Sequence, residues 1–488
     1  LFIWNNILSI FTVFSFCFSY KQQYFNLPIQ EVPPDRPIQE VPPDRVEREF
    51  WRNVIDIDKG VQVKYGADLI SSKVGSGFPR RDGVAADARE RQQYANHPWN
   101  LHNLPKVRES VLCHMTTDIS GMIIPWVYIG MLFSTFCWHV EDHWSYSINY
   151  NHWGERKIWY GVPGEEAELF DKVVKESAPE LFMENKDLLH QMITHIESAP
   201  ELFMENKDLL HQMITHINPQ FLIDRGLHVY TVHQNAGEFV ITFPRSYHAG
   251  FNEGLNCAEA VNFAPPDWVP MGRLCLENYA NVGRTCVFSH MGRLCLENYA
   301  NVGRTCVFSH EELVMKMVTV AHKLSIAMCM ATLDELSWIV ARETDFRHRL
   351  SIAGVCATAF CRFEDIPDDE RSCAVCRTTL FCSGLCCRHD GRMVCAKHVQ
   401  QLCTECSMEQ YCLKFRYTLD DLVPLVHRLT ERTTAFFEWR TTVTQLLNDT
   451  TKTPSTEADD NNSSSSNNID GTTDGKLMKH IRFTIANF

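Results

Sequence analysis

Between Trp126 and Phe263 the chain is built of short, aromatic-rich runs: YIGMLFSTFCWH, KIWYGVP, LHVYTVHQ and GEFVITFP. Each is bounded by glycine, proline or asparagine, and none is long enough for a free-standing helix. Such runs in succession predict strands, and enough of them predict a β-rich barrel or jelly roll. Helical patterns flank this block. VEREFWRNVI (46–55) has helical spacing, residues 271–350 read as helical, and Thr418–Asn448 reads as an amphipathic helix. Thr418 and Asp420 mark its start and Pro424 is a possible interruption. YGADLISSKVGSGFP (65–79) reads as a glycine- and serine-rich loop.

Within the β-rich block, Phe133–Tyr160 holds His139 and Glu141 as a His-x-Glu pair. On a strand, residues two apart share a face. Imidazole and carboxylate together form two-thirds of the facial triad that binds Fe(II) and leaves coordination positions open. The third ligand is expected on a neighbouring strand. His248, after the strand and proline turn of GEFVITFPRSYHAGFN, is the candidate. His143 competes, since a continuing strand would turn it to the His139 face. His139 and His248 are 248 − 139 = 109 residues apart, or 88 with one 21-residue duplicated unit removed. Ser147 and Asn149 continue the alternation. Lys157 and Trp159 share a face in KIWY, and Lys157 is either an ordinary strand lysine reaching solvent or the partner of a buried carboxylate.

Three segments are duplicated in tandem without a single change: PIQEVPPDR (28–36, 37–45), ESAPELFMENKDLLHQMITHI (176–196, 197–217) and MGRLCLENYANVGRTCVFSH (271–290, 291–310). Repeat architectures need several diverged units of one period. These copies instead suggest gene-assembly or exon-prediction errors, the other reading being lineage-specific insertions. The ELFMENKDLLHQMI unit reads as a helical insert. Leu1–Tyr20 is apolar but lacks a basic start, which leaves a targeting segment, translated non-coding sequence or a truncated upstream element. From Asp449 to Lys476 the Asn/Ser/Thr/Asp-rich composition predicts disorder.

The chain has 20 cysteines, and nine lie between Cys373 and Cys412, interleaved with histidines, which reads as metal binding in a reducing compartment. Cys373-x-x-Cys376 and Cys395-x-x-His398 have the spacing of one tetrahedral zinc site. Cys386, Cys387, His389, Cys403 and Cys406 offer a second set. The net charge of −14 argues against a nucleic-acid-binding body and suits a basic partner such as a lysine-rich tail.

The strings CWHVEDHWSYSINYNHWGERKIWYGVPG and AGEFVITFPRSYHAGFNEGLNCAEAVNF resemble the JmjC domain of the Jumonji histone lysine demethylases, subfamily lysine-specific demethylase 5, and the resemblance runs on through YFNLP, FWRNV, YGADL, GSGFP, the cysteine module and RYTLDDL. It implies an α+β chain whose double-stranded β-helix (jelly-roll or cupin) catalytic domain is followed by a helical segment and a zinc-finger module. The expected organisation is an apolar start (1–23), a part packing on the core (24–125), the catalytic domain (126–265), a helical domain (266–365), the zinc finger (366–412), a helix (413–448) and a tail (449–488).

The resemblance puts His139, Glu141 and His248 at the iron-ligand positions and makes His143 secondary. It assigns 2-oxoglutarate to Lys157 and Asn149, lined by Tyr65, Phe136, Ser147 and Trp159, with Asn252 beside iron and the substrate methyl group. It implies Fe(II), 2-oxoglutarate, O2 and Zn(II), and demethylation of lysine 4 of histone H3 in the nucleus with chromatin complexes as partners. The family's zinc finger has eight ligands, and here His389 stands where a cysteine is expected. The second site then reads as Cys387, His389, Cys403 and Cys406, with Cys386 as rival. JmjN, ARID and PHD segments are not visible, the chain begins without methionine, and a fragment is expected. No direct DNA-binding domain is visible and no membrane association is expected. Two other functions fit the same residues: a JmjC hydroxylase acting on a non-histone side chain, and an inactive scaffold.

Overall fold

The computed structural model describes residues 43–55, 61, 63–81, 89–115, 118–177, 217–282 and 307–450. The described residues fall into two units, one up to Leu429 and one from Thr430, and the first carries every feature discussed below. The apolar start, the duplicated ELFMENKDLLHQMI unit and the Asn/Ser-rich tail lie outside the described residues.

Two antiparallel sheets face each other. Sheet I has the order β1-β2-β9-β4-β7, with β1 Gly66–Ile70, β2 Trp126–Gly130, β4 Tyr146–Gly154, β7 Phe239–Thr242 and β9 Asn256–Phe263. Sheet II has the order β3-β8-β5-β6, with β3 Thr135–His139, β5 Lys157–Gly161, β6 Tyr230–Gln234 and β8 His248–Asn252. From β2 to β5 and again from β6 to β9 consecutive strands alternate between the sheets, so the β-rich block closes on itself as a double-stranded β-helix. YGADL is therefore not wholly loop. Gly66–Ile70 pairs with β2 across an irregularity between Gly66 and Leu69, and its positions are all half-buried, which hid the period of two.

Alternation sorts each strand of sheet II into an inner and an outer row. The outer row, Trp138, Ile158, Tyr160, Ala249 and Phe251, joins one apolar core with Phe50 of α1 (Pro43–Ile55) and Phe170 of α4 (Ala167–Ser177). Two further helices, α2 (Ser71–Val74) and α3 (Arg89–Asn96), precede α4 in the chain. Phe50 stacks on Phe251 at 3.9 Å and 8°, and Trp51 Nε1 donates to Tyr160 OH at 3.0 Å. The inner row, His139, Lys157, Trp159, His248, Gly250 and Asn252, is left to line the barrel. Gly250 is required there: a Cβ would meet Ile158 O at 1.9 Å and the Phe136 ring at 2.5 Å.

After the barrel come α5 (Pro219–Ile223, between β5 and β6 in the chain), α6 (Val269–Val282), α7 (His310–Thr319) and α8 (Ile326–Ile352). A third sheet, β10-β13-β11-β12, carries the cysteine module (β10 Ala357–Phe360, β11 Ser383–Cys387, β12 Met393–Val394, β13 Tyr411–Phe415). One apolar core runs through both: Trp268, Met317, Leu336, Phe346, Phe363, Leu385 and Leu413 belong to it. The last helix, α9 (Leu419–Thr450), passes Pro424 without ending. Thr418 and Asp421 cap it reciprocally: Asp421 N donates to Thr418 Oγ1 at 3.0 Å and Thr418 N to Asp421 Oδ2 at 2.8 Å. Among the described residues no helix is long and apolar enough to cross a membrane.

Candidate metal and co-substrate site

β3 and β8 pair so that His139 and His248 are register partners, with ring centroids 4.2 Å apart. β3 ends at His139. Glu141 follows in extended conformation (φ −67°, ψ 153°) and leads into a 3-10 turn at Asp142–Trp144. Glu141 Oε1 lies 3.3 Å from His248 Nε2, and one donor atom from each of His139, Glu141 and His248 falls within 4.8 Å of the others. The strand does not continue past Glu141, contrary to the simple alternation. Ser147 and Asn149 belong to β4 in the opposite sheet, and His143 is carried out of the barrel by the turn.

Hydrogen bonds fix the tautomers. His139 Nδ1 is 2.7 Å from Cys137 O, and His248 Nδ1 is 3.0 Å from Ser246 O. A carbonyl accepts only from N–H, so both rings carry a proton on Nδ1 and turn Nε2 inward, the orientation typical of metal-bound histidine. Burial, with the neighbouring His248, pushes His139 down to about 4, so it is neutral at pH 7. Burial would raise Glu141, but the His248 hydrogen bond, the two imidazoles and the Asn262 amide outweigh it and hold the carboxyl at about 2. Asn262 Nδ2 donates to Glu141 Oε2 at 2.8 Å. Two imidazoles and one carboxylate whose donor atoms converge fit an iron ion. Asn262 was not singled out in the sequence; its one signal is a polar residue near the end of the run AEAVNF.

Lys157 is 1% exposed, so it does not reach solvent. Its Nζ donates to Asn252 Oδ1 at 2.8 Å and to Tyr65 OH at 3.3 Å, and sits 5.2 Å from the Phe136 ring centre. Burial pushes its pKa down to about 7. Phe136 meets Trp159 edge-on at 4.7 Å. Trp159 Nε1 donates to Gln234 Oε1 at 2.9 Å, and Gln234 Nε2 donates to Asn149 Oδ1 at 3.1 Å. Ser147 Oγ is 2.5 Å from Thr242 Oγ1. Tyr65, Phe136, Lys157 and Trp159 thus converge on one pocket, with Asn149 held behind Trp159 through Gln234, a residue the sequence reading did not find. Asn252 contacts the lysine, and its Nδ2 donates to Ser134 O and Oγ at 3.0 and 2.9 Å.

His143 is fully buried, has no hydrogen-bond partner on either ring nitrogen among the described residues, and stacks on Phe308 at 3.9 Å. It does not join the cluster of donors.

In the cysteine module, Cys373, Cys376, Cys395 and His398 place one donor each within 4.8 Å. Cys373 and Cys376 are buried in the core. Four donors at one point fit a closed tetrahedral zinc site. Cys387, Cys403 and Cys406 also converge, whereas His389 groups instead with Asp390 and Cys403 and is 60% exposed. The Cys386 thiol donates to Cys387 O and Gly391 O, away from the three sulfurs. The fit to a second zinc is therefore three thiolates with His389 standing off.

Comparison with known proteins agrees with this division. The JmjC domain, hydroxylase, matches residues 126–263. The lysine-specific demethylase 5 C-terminal helical domain matches in two pieces, 267–290 and 291–341, and the break falls at the junction of the two tandem copies. The C5HC2 zinc finger matches residues 373–425. Similar proteins include lysine-specific demethylase rbr-2 of Caenorhabditis briggsae, 46% identical over 81% of this chain and 24% of that protein. Lysine-specific demethylase 5B of Gallus gallus is 42% identical over 88% and 25%, and lysine-specific demethylase 5D of Homo sapiens 44% over 86% and 24%. The chain spans about a quarter of the length of the curated relatives it matches.

Proposed function

Because the chain belongs to the lysine-specific demethylase 5 family through its JmjC, helical and C5HC2 segments, we propose that it is an Fe(II)- and 2-oxoglutarate-dependent dioxygenase that demethylates lysine 4 of histone H3. The observation that carries the reading is the pairing, inside one barrel, of a His139–Glu141–His248 donor set with a buried lysine. His139, Glu141 and His248 would hold iron. Bound there, iron with open coordination positions supplies O2 activation driven by oxidative decarboxylation of 2-oxoglutarate to succinate and CO2.

The chain's own residues do the rest. Lys157 and the Tyr65 hydroxyl bind the far carboxylate of 2-oxoglutarate. Phe136 and Trp159 wall the pocket against water, and Asn149 and Ser147 brace it from β4. Asn252 holds the lysine amine in place when no anion is present. The oxidised methyl carbon leaves as formaldehyde, and the lysine nitrogen keeps a proton in its place. A nuclear setting, the basic histone tail and chromatin complexes suit this activity and the acidic charge of the chain.

The test is mass spectrometry of methylated histone H3 peptides incubated with the chain, Fe(II) and 2-oxoglutarate. Loss of one methylene per cycle with formaldehyde is expected. Gain of one oxygen without formaldehyde would turn the reading to a hydroxylase, and absence of iron and 2-oxoglutarate binding to a scaffold.

For the cysteine module we propose one zinc on Cys373, Cys376, Cys395 and His398 and a second on Cys387, Cys403 and Cys406 with His389 as an exposed fourth ligand. A chelator with a metallochromic dye should then release zinc in two phases. His389→Cys should slow the faster phase and His389→Ala should speed it. A single phase unaffected by either substitution would remove His389 from the site.

The tandem copies make a further prediction. Deleting residues 197–217 gives the same product as deleting the first copy, and Ile217 of the second copy is buried in the barrel core, its carbonyl accepting from Trp138 Nε1 at 2.9 Å. The deletion keeps an isoleucine at that seam. Soluble yield and activity should rise, and a loss of activity would mark the insert as functional.

A further inference from the structure

The turn that carries Glu141 is strained, and what holds it lies outside the barrel. His143 and Trp144 have φ of +53° and +49°, two consecutive bulky residues in the left-handed region. Each such residue costs about 1–2 kcal/mol, and strain of this kind persists where the surroundings over-determine it. The surroundings are explicit here. Trp144 N donates to Glu141 O at 3.0 Å, closing the turn onto the metal-site residue itself. Trp268 Nε1 donates to His143 O at 2.9 Å. The His143 ring stacks on Phe308 at 15°. Trp144 packs on Cys275, flanked by Met271, Leu276 and Val307, and Arg245 lies 4.6 Å over its ring.

Apart from Arg245, every one of these clamping groups belongs to the helical segment: Trp268 just ahead of α6, residues 271–276 on α6, and Val307–Phe308 just ahead of α7. The His143 imidazole gains nothing polar from its position, because neither nitrogen has a hydrogen-bond partner among the described residues. An unmade hydrogen bond in a buried site costs about 1–3 kcal/mol. The ring is held there by packing alone, and the backbone beside Glu141 is fixed by the Trp268 bond to His143 O and by the packing of Trp144.

We propose that the helical segment is part of the catalytic centre: Trp268, through its bond to the His143 carbonyl, and the residues of α6 packed on Trp144 are positioning residues that set the Glu141 carboxylate against His248. The proposal rests on His139, Glu141 and His248 being the metal ligands. It makes metal affinity, and not only stability, depend on how α6 and α7 seat on the turn.

The test is Mn(II) binding to the full chain, followed by electron paramagnetic resonance, with zinc content and melting temperature measured in parallel. Asn and Gly adopt the left-handed region readily, whereas a β-branched residue does not. His143→Asn and His143→Gly should keep Mn(II) affinity within about 2-fold, and His143→Val should weaken it about 10-fold or more, the scale of losing an outer partner of a metal ligand. Trp268→Phe keeps the aromatic packing, loses the donor to His143 O, and should weaken Mn(II) about 10-fold with zinc content unchanged. It decides the matter alone if His143→Val does not fold. Equal losses in all three His143 variants would overturn the proposal, since the imidazole itself would then be needed. Affinity that falls with His139→Ala but not with Trp268→Phe or His143→Val would overturn it while leaving the metal site standing. Affinity indifferent to His139→Ala would overturn both.

Discussion

Exchanging Glu141 for glutamine should end turnover while leaving the barrel folded. The amide is isosteric with the carboxylate. Its oxygen can still accept from Asn262 Nδ2, which now donates at 2.8 Å, and its other end still faces His248 Nε2, which lies 3.3 Å from the present carboxylate oxygen. What is lost is the one anionic donor of the set, held ionised at about 2. Losing only an outer partner of a metal ligand costs about 10–100-fold in affinity, so losing the ligand charge should cost more than ~100-fold. Iron content by elemental analysis and succinate release measure it. Succinate formation above about one hundredth of the parent chain would sink the ligand role.

Replacing Lys157 by methionine should separate activity from stability. A buried charge that loses its partner costs roughly 2 kcal/mol or more, equal to ~30-fold, so the apparent KM for 2-oxoglutarate should rise at least that far. Swapping a buried cation for an apolar side chain of similar length is often neutral or stabilising by about 1–4 kcal/mol, so the melting temperature should hold or rise. The same lysine sets a pH dependence. In the free chain burial depresses it to about 7, so at higher pH the dicarboxylate must bring a proton with it. Affinity should fall above pH 7 by up to tenfold per unit, and calorimetry in buffers of different ionisation heat should register the proton uptake. For folding the sign is opposite. Between about 7 and the usual lysine value the unfolded chain binds the proton and the folded chain does not, so this group's contribution favours the folded state more as pH rises through that window. A KM that did not respond to Lys157→Met would place the co-substrate elsewhere.

Much of this was legible in the residues. KIWY and HAGFN alternate cleanly, and their inner rows line the barrel as the period of two requires. The third histidine could not be chosen by spacing, because a register partner across a strand pair leaves no trace in sequence separation. Alternation also overran at Glu141. Left-handed backbone is usually announced by glycine or asparagine, and here it is adopted by a histidine and a tryptophan whose partners lie far along the chain. YGADL looked like a loop because a bulged edge strand with every position half-buried has neither period nor apolar face. Asn262 and Gln234 are polar residues in mixed strands, and their meaning appears only when the carboxylate and the indole they bind are beside them. His389 was assigned from the pattern of its neighbours, and its exposed position is set by the hairpin that ends β11.

The cross-strand partnership of His139 and His248 has a consequence for how such a chain can change over time. Neighbouring strands stand about 5 Å apart whatever connects them, so the distance between the two imidazoles is insulated from the 248 − 139 − 1 = 108 intervening positions. Twenty-one residues are copied in that interval, and His139 and His248 are still register partners. A single residue added inside β3 or β8 would turn a ligand to the opposite face. The tolerance of this chain to insertion is thus graded by place and hardly at all by length.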